Sequence, residues 1–213
     1  MNTPNTLLSP LKTAHSAFLI QLQNAHEQGN FAKFIKDSAA TGELFEIIPA
    51  LKDLSQIPQD PKWHPEGDVW THTLLVIESL PSNATFAMAL AALFHDIGKA
   101  TATVIHETGR ITAHGHESES KKIATVILND LGADPKLKNE VLFLVFRHML
   151  AHSRDTTTKT LRRLILEVGS NLVEQLLLHG VADVNGGCKD FTDCIRVRKL
   201  FDSINMTERF MKK

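Results

Sequence analysis

The peptide Ala-Leu-Ala-Ala-Leu-Phe-His-Asp-Ile-Gly-Lys, residues 89–99, ends a nearly all-apolar run on the ionisable pair His95-Asp96. Burying an unpaired carboxylate costs several kcal/mol, so a partner must stand beside it. Two arrangements supply one. In the first, Asp96 caps a neighbouring helix and His95 is a hydrogen-bonded core histidine. In the second, a divalent cation neutralises the pair. Other segments bear on the choice. His72 lies between Val69 and Val76 at helical spacing, the stripe Leu137, Val141, Leu144, Val145 runs into His148, and the stripe Leu172, Leu176, His179 ends at Asp183. A lone inward histidine is usually a satisfied core residue. Several helices that each aim a His or Asp inward point instead to one metal centre. Mixed imidazole and carboxylate donors suit Mn, Fe, Ni, Co or Zn rather than calcium.

The remaining basic groups divide in the same way. His152 follows His148 by four residues and either pairs with it on one metal or simply marks the helix end before Ser153-Arg154. His179 shares a face with Asp183, where contact with a ligand or core packing is expected before ligation. His15, His26 and His106 are expected at the surface.

Holding these side chains inward requires helices. The apolar period predicts helices over 7–28, 31–40, 69–80, 83–97, 117–131, 135–150, 157–168, 171–184 and 195–211. The segment 44–51 contains Pro49 and reads as a short or broken helix. Gly98 is the expected residue just past the 83–97 helix, and Gly132 closes 117–131. Residues 101–113 are rich in β-branched side chains around Thr108-Gly109, which predicts a small hairpin. The loop 55–68 holds Pro58, Pro61, Pro65 and Gly67; Trp63 and His64 argue that it is ordered and packed. The fold expected is a single all-α bundle with one small β-hairpin. It divides into an N-terminal helical arm over 1–30, a main domain over 31–190, and a C-terminal helix over 191–213, packed on the domain or trailing it.

Composition narrows the function classes. Lys and Arg number 23 against 24 Asp and Glu, a formal net charge of -1. That weakens a role built on nonspecific nucleic-acid or membrane electrostatics, while a local basic patch stays allowed. A hydrophobic content of 43% excludes a largely disordered chain. Cys188 and Cys194 cannot build a disulfide framework and are read as free thiols. No signal-peptide pattern and no run near the ~18 apolar residues of a membrane span is present. A cytoplasmic protein with no membrane partner is expected; nothing in the sequence specifies an oligomeric state. Histidine, at 11 of 213 residues, is the compositional excess to be explained.

Taken in order, His72, His95-Asp96 and Asp183 resemble the H…HD…D pattern of the HD-domain metal-dependent phosphohydrolases. PKWHPEGDVWTHTL (61–74), ALFHDIGKA (92–100), GRITAHGHE (109–117), FRHM (146–149) and ADVNG (182–186) look like the HD domain attached to bacterial CCA-adding tRNA nucleotidyltransferases. The likeness runs from about residue 31 to 187. It does not extend to those enzymes' head: the Gly-Gly phosphate-binding turn and the strand of paired aspartates have no counterpart here, so nucleotide addition is not expected.

The resemblance implies an HD-type helical bundle and a hydrolase for phosphomonoesters or 2′,3′-cyclic phosphodiesters of nucleotides or RNA ends. One or two divalent ions (Mn, Ni, Co, Fe or Zn, with Mg admitted) would generate the attacking hydroxide. Carried over by position, His72, His95, Asp96 and Asp183 match the metal ligands. His116 and His148 match positions that hold a second metal in the binuclear branch. Lys99 matches the lysine of His-Asp-x-x-Lys, a phosphate contact, and Asp96 is also the expected proton acceptor. His64, Glu66 and Glu117 are expected beside the ligands or the substrate, and Arg147 and Arg154 are read either as phosphate clamps or as surface arginines. The same fold also hosts nucleoside triphosphate or alarmone hydrolysis, and a non-catalytic RNA- or protein-binding module with a structural metal site.

Overall fold

The computed structural model describes the backbone of residues 10–211 and the side chains of residues 12–204. The start of the predicted first helix, residues 7–9, and the ends of the outer segments assigned from sequence lie outside the described residues. In chain order the helices are α1 (Pro10–Glu27), α2 (Phe31–Thr41), α3 (Glu43–Ile47), α4 (Val69–Glu78), α5 (Phe86–Phe94) and α6 (Lys99–Ala102). They continue as α7 (His116–Asp130), α8 (Pro135–Arg147), α9 (Thr158–Val168), α10 (Ser170–Gly186) and α11 (Thr192–Met211). Strands β1 (Val104–Ile105) and β2 (Ile111–Thr112) pair antiparallel, Val104 facing Thr112 and Ile105 facing Ile111. The fold is all-α with one small hairpin.

Helix α5 is the axis of the bundle. Thr85 starts it by accepting the Met88 amide on its hydroxyl. Every residue from Ala87 to Phe94 is buried. Four alanines let neighbours approach, while Met88, Leu90, Leu93 and Phe94 fill the gaps between α4, α8 and α10. Asp68 caps α4 with both oxygens, taking the Thr71 amide at 2.9 Å and its hydroxyl at 2.7 Å. Asp134 caps α8, with Pro135 in the first turn. Phe18 and Leu22 of α1 and Val197, Phe201 and Ile204 of α11 join the same core. No helix among the described residues is long and apolar enough to cross a membrane.

Departures from the sequence expectation shape the interior. Helix α5 stops at Phe94 rather than residue 97, and tight turns carry the chain on: Ile97 N–H donates to Phe94 O, and Lys99 N–H to Asp96 O. Gly98 is not a left-handed cap, since its φ is −70°. It is glycine because a Cβ there would overlap the His116 carbonyl and the Ser120 amide. Helix α8 ends at Arg147, and residues 148–152 tighten into a 3-10 turn. A continued α-helix would offer the Val145 carbonyl to Met149; here it receives the His148 ring proton at 2.7 Å. The hairpin is also shorter than 101–113, because residues 99–102 are helical. His26, expected at the surface, is partly buried against Phe86 at 5.6 Å and Phe31 at 6.2 Å, because α1 packs against α2 and α5, which these two rings open; burial lowers its pKa.

Candidate metal centre

Several elements deliver the cluster. His72 comes from the middle of α4, His95 and Asp96 from the turn after α5, His148 from the end of α8, and Asp183 from α10. His116 opens α7 directly after Gly115, whose φ is +79°. Two close approaches hold them together. The Gly98 amide donates to the buried Ser120 hydroxyl at 2.9 Å, locking the His95–Lys99 turn onto α7. Gly180 lets α10 lie against Ala151, where any Cβ would collide with the alanine methyl; this sets Asp183 beside the 148–152 turn.

The ring protons are decided by the backbone. A carbonyl oxygen only accepts, so Nδ1 carries the proton in His95 (Ala92 O, 2.9 Å), His116 (Ala113 O, 2.8 Å) and His148 (Val145 O, 2.7 Å). Each neutral ring then turns an Nε2 lone pair toward the interior. His116 Nε2 and His148 Nε2 lie 3.1 Å apart, and Asp96 Oδ1 is 3.1 Å from the first and 3.9 Å from the second. Two lone pairs and a carboxylate at this range require a cation between them, either a proton or a metal ion.

Asp96 stands between two groups. Its Oδ1 faces His116 and His148, while Oδ2 is 3.3 Å from His95 Nε2 and 3.7 Å from His72 Nε2. Asp183 Oδ1 completes the second group, 3.0 Å from His72 Nε2 and 3.9 Å from His95 Nε2. Two sets of donors therefore converge within ligand reach: His72, His95 and Asp183, and Asp96, His116 and His148. A third set, His64, Glu66 and His72, is centred on Glu66 Oε1, which takes the His64 Nδ1 hydrogen bond at 2.8 Å. His72 Nδ1 is 2.7 Å from the same oxygen, at an angle outside hydrogen-bond geometry.

Burial and charge compete here. Burial would raise the Asp96 carboxyl, but His95, Lys99 and the nearby His116 outweigh it and hold it well below the carboxylate range. Asp183 is held low in the same way, against its burial, by His152 and His72. Burial would lower His72; its contacts with Asp183 and Glu66 prevail and raise it to about 10. His116 is raised against its burial by Asp96. His148 is pushed far down by burial, then by His116 and His95. His64 falls to about 4 through burial, then Lys99 and His72.

The donor set fits a divalent cation. Among the described residues, the buried side-chain atoms without a hydrogen-bond partner are Glu66 Oε2, His72 Nδ1, His95 Nε2, Asp96 Oδ1 and both ring nitrogens of His179. All belong to this cluster or abut it, and His95 Nε2 and Asp96 Oδ1 point where an ion would be held. Buried polar side chains elsewhere among the described residues find partners, so the exceptions mark the place.

The other residues singled out from sequence fall on both sides. Lys99 is buried; its Nζ donates to Gln59 Oε1 at 2.6 Å, forms an ion pair with Asp96 Oδ2 at 2.7 Å, and lines a cavity of about 770 Å³ over the cluster. Arg147 lines the same cavity and stacks on Phe146 at 4.8 Å. Glu117 and His64 line it as well. Arg154 does not: it lies on the surface, 3.3 Å from Asp193. His152 does not face His148; it donates to Asp183 Oδ2 at 3.0 Å. His179 packs its ring on His95 at 5.2 Å and is lowered to about 3, chiefly by burial. Gln59 and Ser120 escaped the sequence reading. Ser120 shares the inward stripe of Ala124, Ile127 and Leu128, a usable signal. Gln59 sits in a proline-rich loop with no periodicity to reveal it.

Comparison with known proteins converges on the same stretch. The family model described as HD domain matches residues 69–184. The Multifunctional CCA protein of Thioalkalivibrio sulfidiphilus is 30% identical over 175 residues, 78% of this chain and 41% of that protein. The Multifunctional CCA protein of Teredinibacter turnerae is 30% identical over 148 residues, 68% and 35%. That of Halorhodospira halophila is 34% identical over 114 residues, 52% and 26%. The chain thus spans at most 41% of the length of these relatives.

Proposed function

The chain belongs to the HD domain family, and on that premise we propose that it is a metal-dependent hydrolase of phosphomonoesters or 2′,3′-cyclic phosphodiesters of nucleotides or RNA ends. The observation that carries the reading is the set of Nε2 lone pairs, fixed by backbone carbonyls, that meets Asp96 and Asp183 in a buried space. The likeness of the flanking motifs to the domain attached to tRNA nucleotidyltransferases supports the substrate class.

His72, His95 and Asp183 would hold one ion and His116 and His148 a second, with Asp96 giving one oxygen to each. When bound, divalent ions supply positive charge that polarises a phosphoryl oxygen and acidifies water to near neutrality. The chain's own groups then divide the remaining work. Asp96, held well below the usual carboxylate range, suits the ligand half of its expected double role better than the proton-accepting half. His152 occupies Asp183 Oδ2, which leaves Oδ1 directed at His72 and His95. The Lys99 ammonium has three donors; one is taken by Gln59, Asp96 balances its charge from 2.7 Å, and it lines the cavity where a phosphate oxygen would accept from it. The Arg147 guanidinium offers a second, planar donor to the phosphate.

Metal content and turnover test the reading together. After chelation the protein should lose turnover of bis-p-nitrophenyl phosphate and adenosine 2′,3′-cyclic phosphate, and Mn, Co or Ni should restore it. Elemental analysis of the reloaded protein should give two ions per chain. Failure of all these metals and Mg to support hydrolysis of either ester would remove the proposal.

A further inference from the structure

The cavity over the cluster is much larger than a phosphate group needs. At about 770 Å³ it falls in the range of pockets that enclose a whole small molecule. Its floor is ionic, formed by Asp96, Lys99, His116, His148 and Asp183. Trp63 stands among the walls, and it is unlike the protein's other tryptophan. Trp70 packs edge-on against Phe45 at 5.6 Å. Trp63 keeps 48% of its surface exposed while lining the cavity.

Its backbone, in contrast, is held tightly. Trp63 N–H and His64 N–H both donate to Asp60 O, at 3.0 and 2.9 Å, and Gly67 N–H donates to His64 O at 3.1 Å. Gln59 N–H donates to Gly67 O at 2.9 Å, closing the loop at its base. The next side chain, His64, is bonded to Glu66, which touches His72. The Trp63 carbonyl lies against Gly187, just past the end of α10, at a spot where a Cβ would come within 3.0 Å. A loop held by these bonds and tied to the ligand shell thus presents a large, half-exposed aromatic residue to the pocket. The Lys62 ammonium stands over the ring, 4.6 Å from its centroid, a cation–π contact that places positive charge beside it.

We infer that Trp63 determines specificity: its indole is the platform on which the planar base of a nucleoside phosphate stacks while the phosphate occupies the ionic floor. This rests on the phosphohydrolase reading for the identity of the floor, but not for the platform itself. Base stacking on an aromatic side chain survives any change of base, because every base has a π-face. The site should therefore favour nucleosides over ring-free alcohols and discriminate weakly among bases.

Two measurements on the full chain separate the platform from the hydrolysis. The first compares kcat/KM for adenosine 2′,3′-cyclic phosphate with that for glycerol 1,2-cyclic phosphate, which carries no base. In Trp63→Ala the adenosine-to-glycerol ratio should fall about five- to 150-fold, through KM, and Trp63→Phe should keep most of it. An unchanged ratio overturns the inference even if both rates drop. The second uses adenosine itself, which carries no phosphate, in a Trp70→Phe background where Trp63 is the remaining tryptophan. Adenosine should quench its emission saturably, and ribose should not. Quenching without turnover of any ester would keep the platform and remove the phosphohydrolase reading. Turnover without quenching, and with an unchanged ratio, would do the reverse.

Discussion

Helix α5 and the turn that follows it are buried alike and built oppositely. Ala87 to Phe94 are at most 2% exposed, and His95, Asp96 and Lys99 at most 8%. In the helix, apolar atoms meet apolar atoms, and transfer from water explains the burial at roughly 25 cal/mol per Å². In the turn, charged groups are equally withdrawn from water, and His95 Nε2 and Asp96 Oδ1 have no hydrogen-bond partner. Burial of that second kind is unfavourable on its own. The contrast teaches that the same depth serves stability along the helix and, on the proposed function, holds an ion site at its end.

Substitution on each side should break the two functions apart. Asp96→Asn keeps the shape but removes the charge shared between the two donor sets. It should lower kcat/KM in the metal-loaded protein about a thousandfold or more, the several kcal/mol a bound ion contributes. A variant with wild-type turnover would end the assignment of Asp96. Leu90→Ala lies wholly in the apolar half, one helical turn before Phe94. It should cost about 2–5 kcal/mol of stability by urea denaturation, the range for truncating a buried leucine. The folded fraction should keep its kcat/KM. A loss of activity without a loss of stability would erase the distinction.

A third, smaller effect belongs to the polar half alone. In the metal-free protein His72 is raised to about 10 and His116 is raised as well. Both must surrender an Nε2 proton to bind an ion, so apparent metal affinity should climb with pH between about 6.5 and 10, by up to about tenfold per unit for each proton displaced. The same shift has a signature in folding. A histidine raised in the folded state contributes stability that is complete below its ordinary 6.5 and is lost as pH rises through about 10. The denaturation midpoint of the metal-free protein should therefore fall across that window, and saturating metal should flatten the fall. Titration calorimetry in buffers of different ionisation enthalpy would count the protons released. An affinity independent of pH from about 7 to about 9 would sever the link between these two histidines and the ion.

The parts of this molecule legible in its sequence are those with a local cause. Helix α5 announces itself by an unbroken apolar run, and His72, His148 and Asp183 by falling on inward stripes. The all-α architecture follows from the same periodicity, and the hairpin from the β-branched residues around Thr108-Gly109. Gly98 was visible as a special position, but for the wrong reason: proximity to α7, not a left-handed φ, demands it. His116 has no apolar stripe leading to it, since it opens α7 after a glycine, and only the family resemblance singled it out. Gln59 gave no signal, because its side chain acts through two hydrogen bonds to groups distant along the chain, giving Nε2–H to Asp68 O and accepting from Lys99, 40 residues away. Arg147 and Arg154 looked equivalent; the end of α8 turns one into the cavity, and Asp193 holds the other at the surface.

By itself the sequence determined the long helices, the faces they turn inward and the ionisable residues those faces carry, because period and hydrophobicity act over one or two turns; the short helix α6 and the early ends of α5 and α8 were not legible. Tertiary structure alone decided that Asp96 stands between two donor groups, that three ring protons are committed to carbonyls, and that His152 serves Asp183 rather than His148. Those outcomes depend on distances between segments far apart in the chain, set by close approaches such as Gly180 on Ala151. Local pattern carries no measure of such distances; packing does.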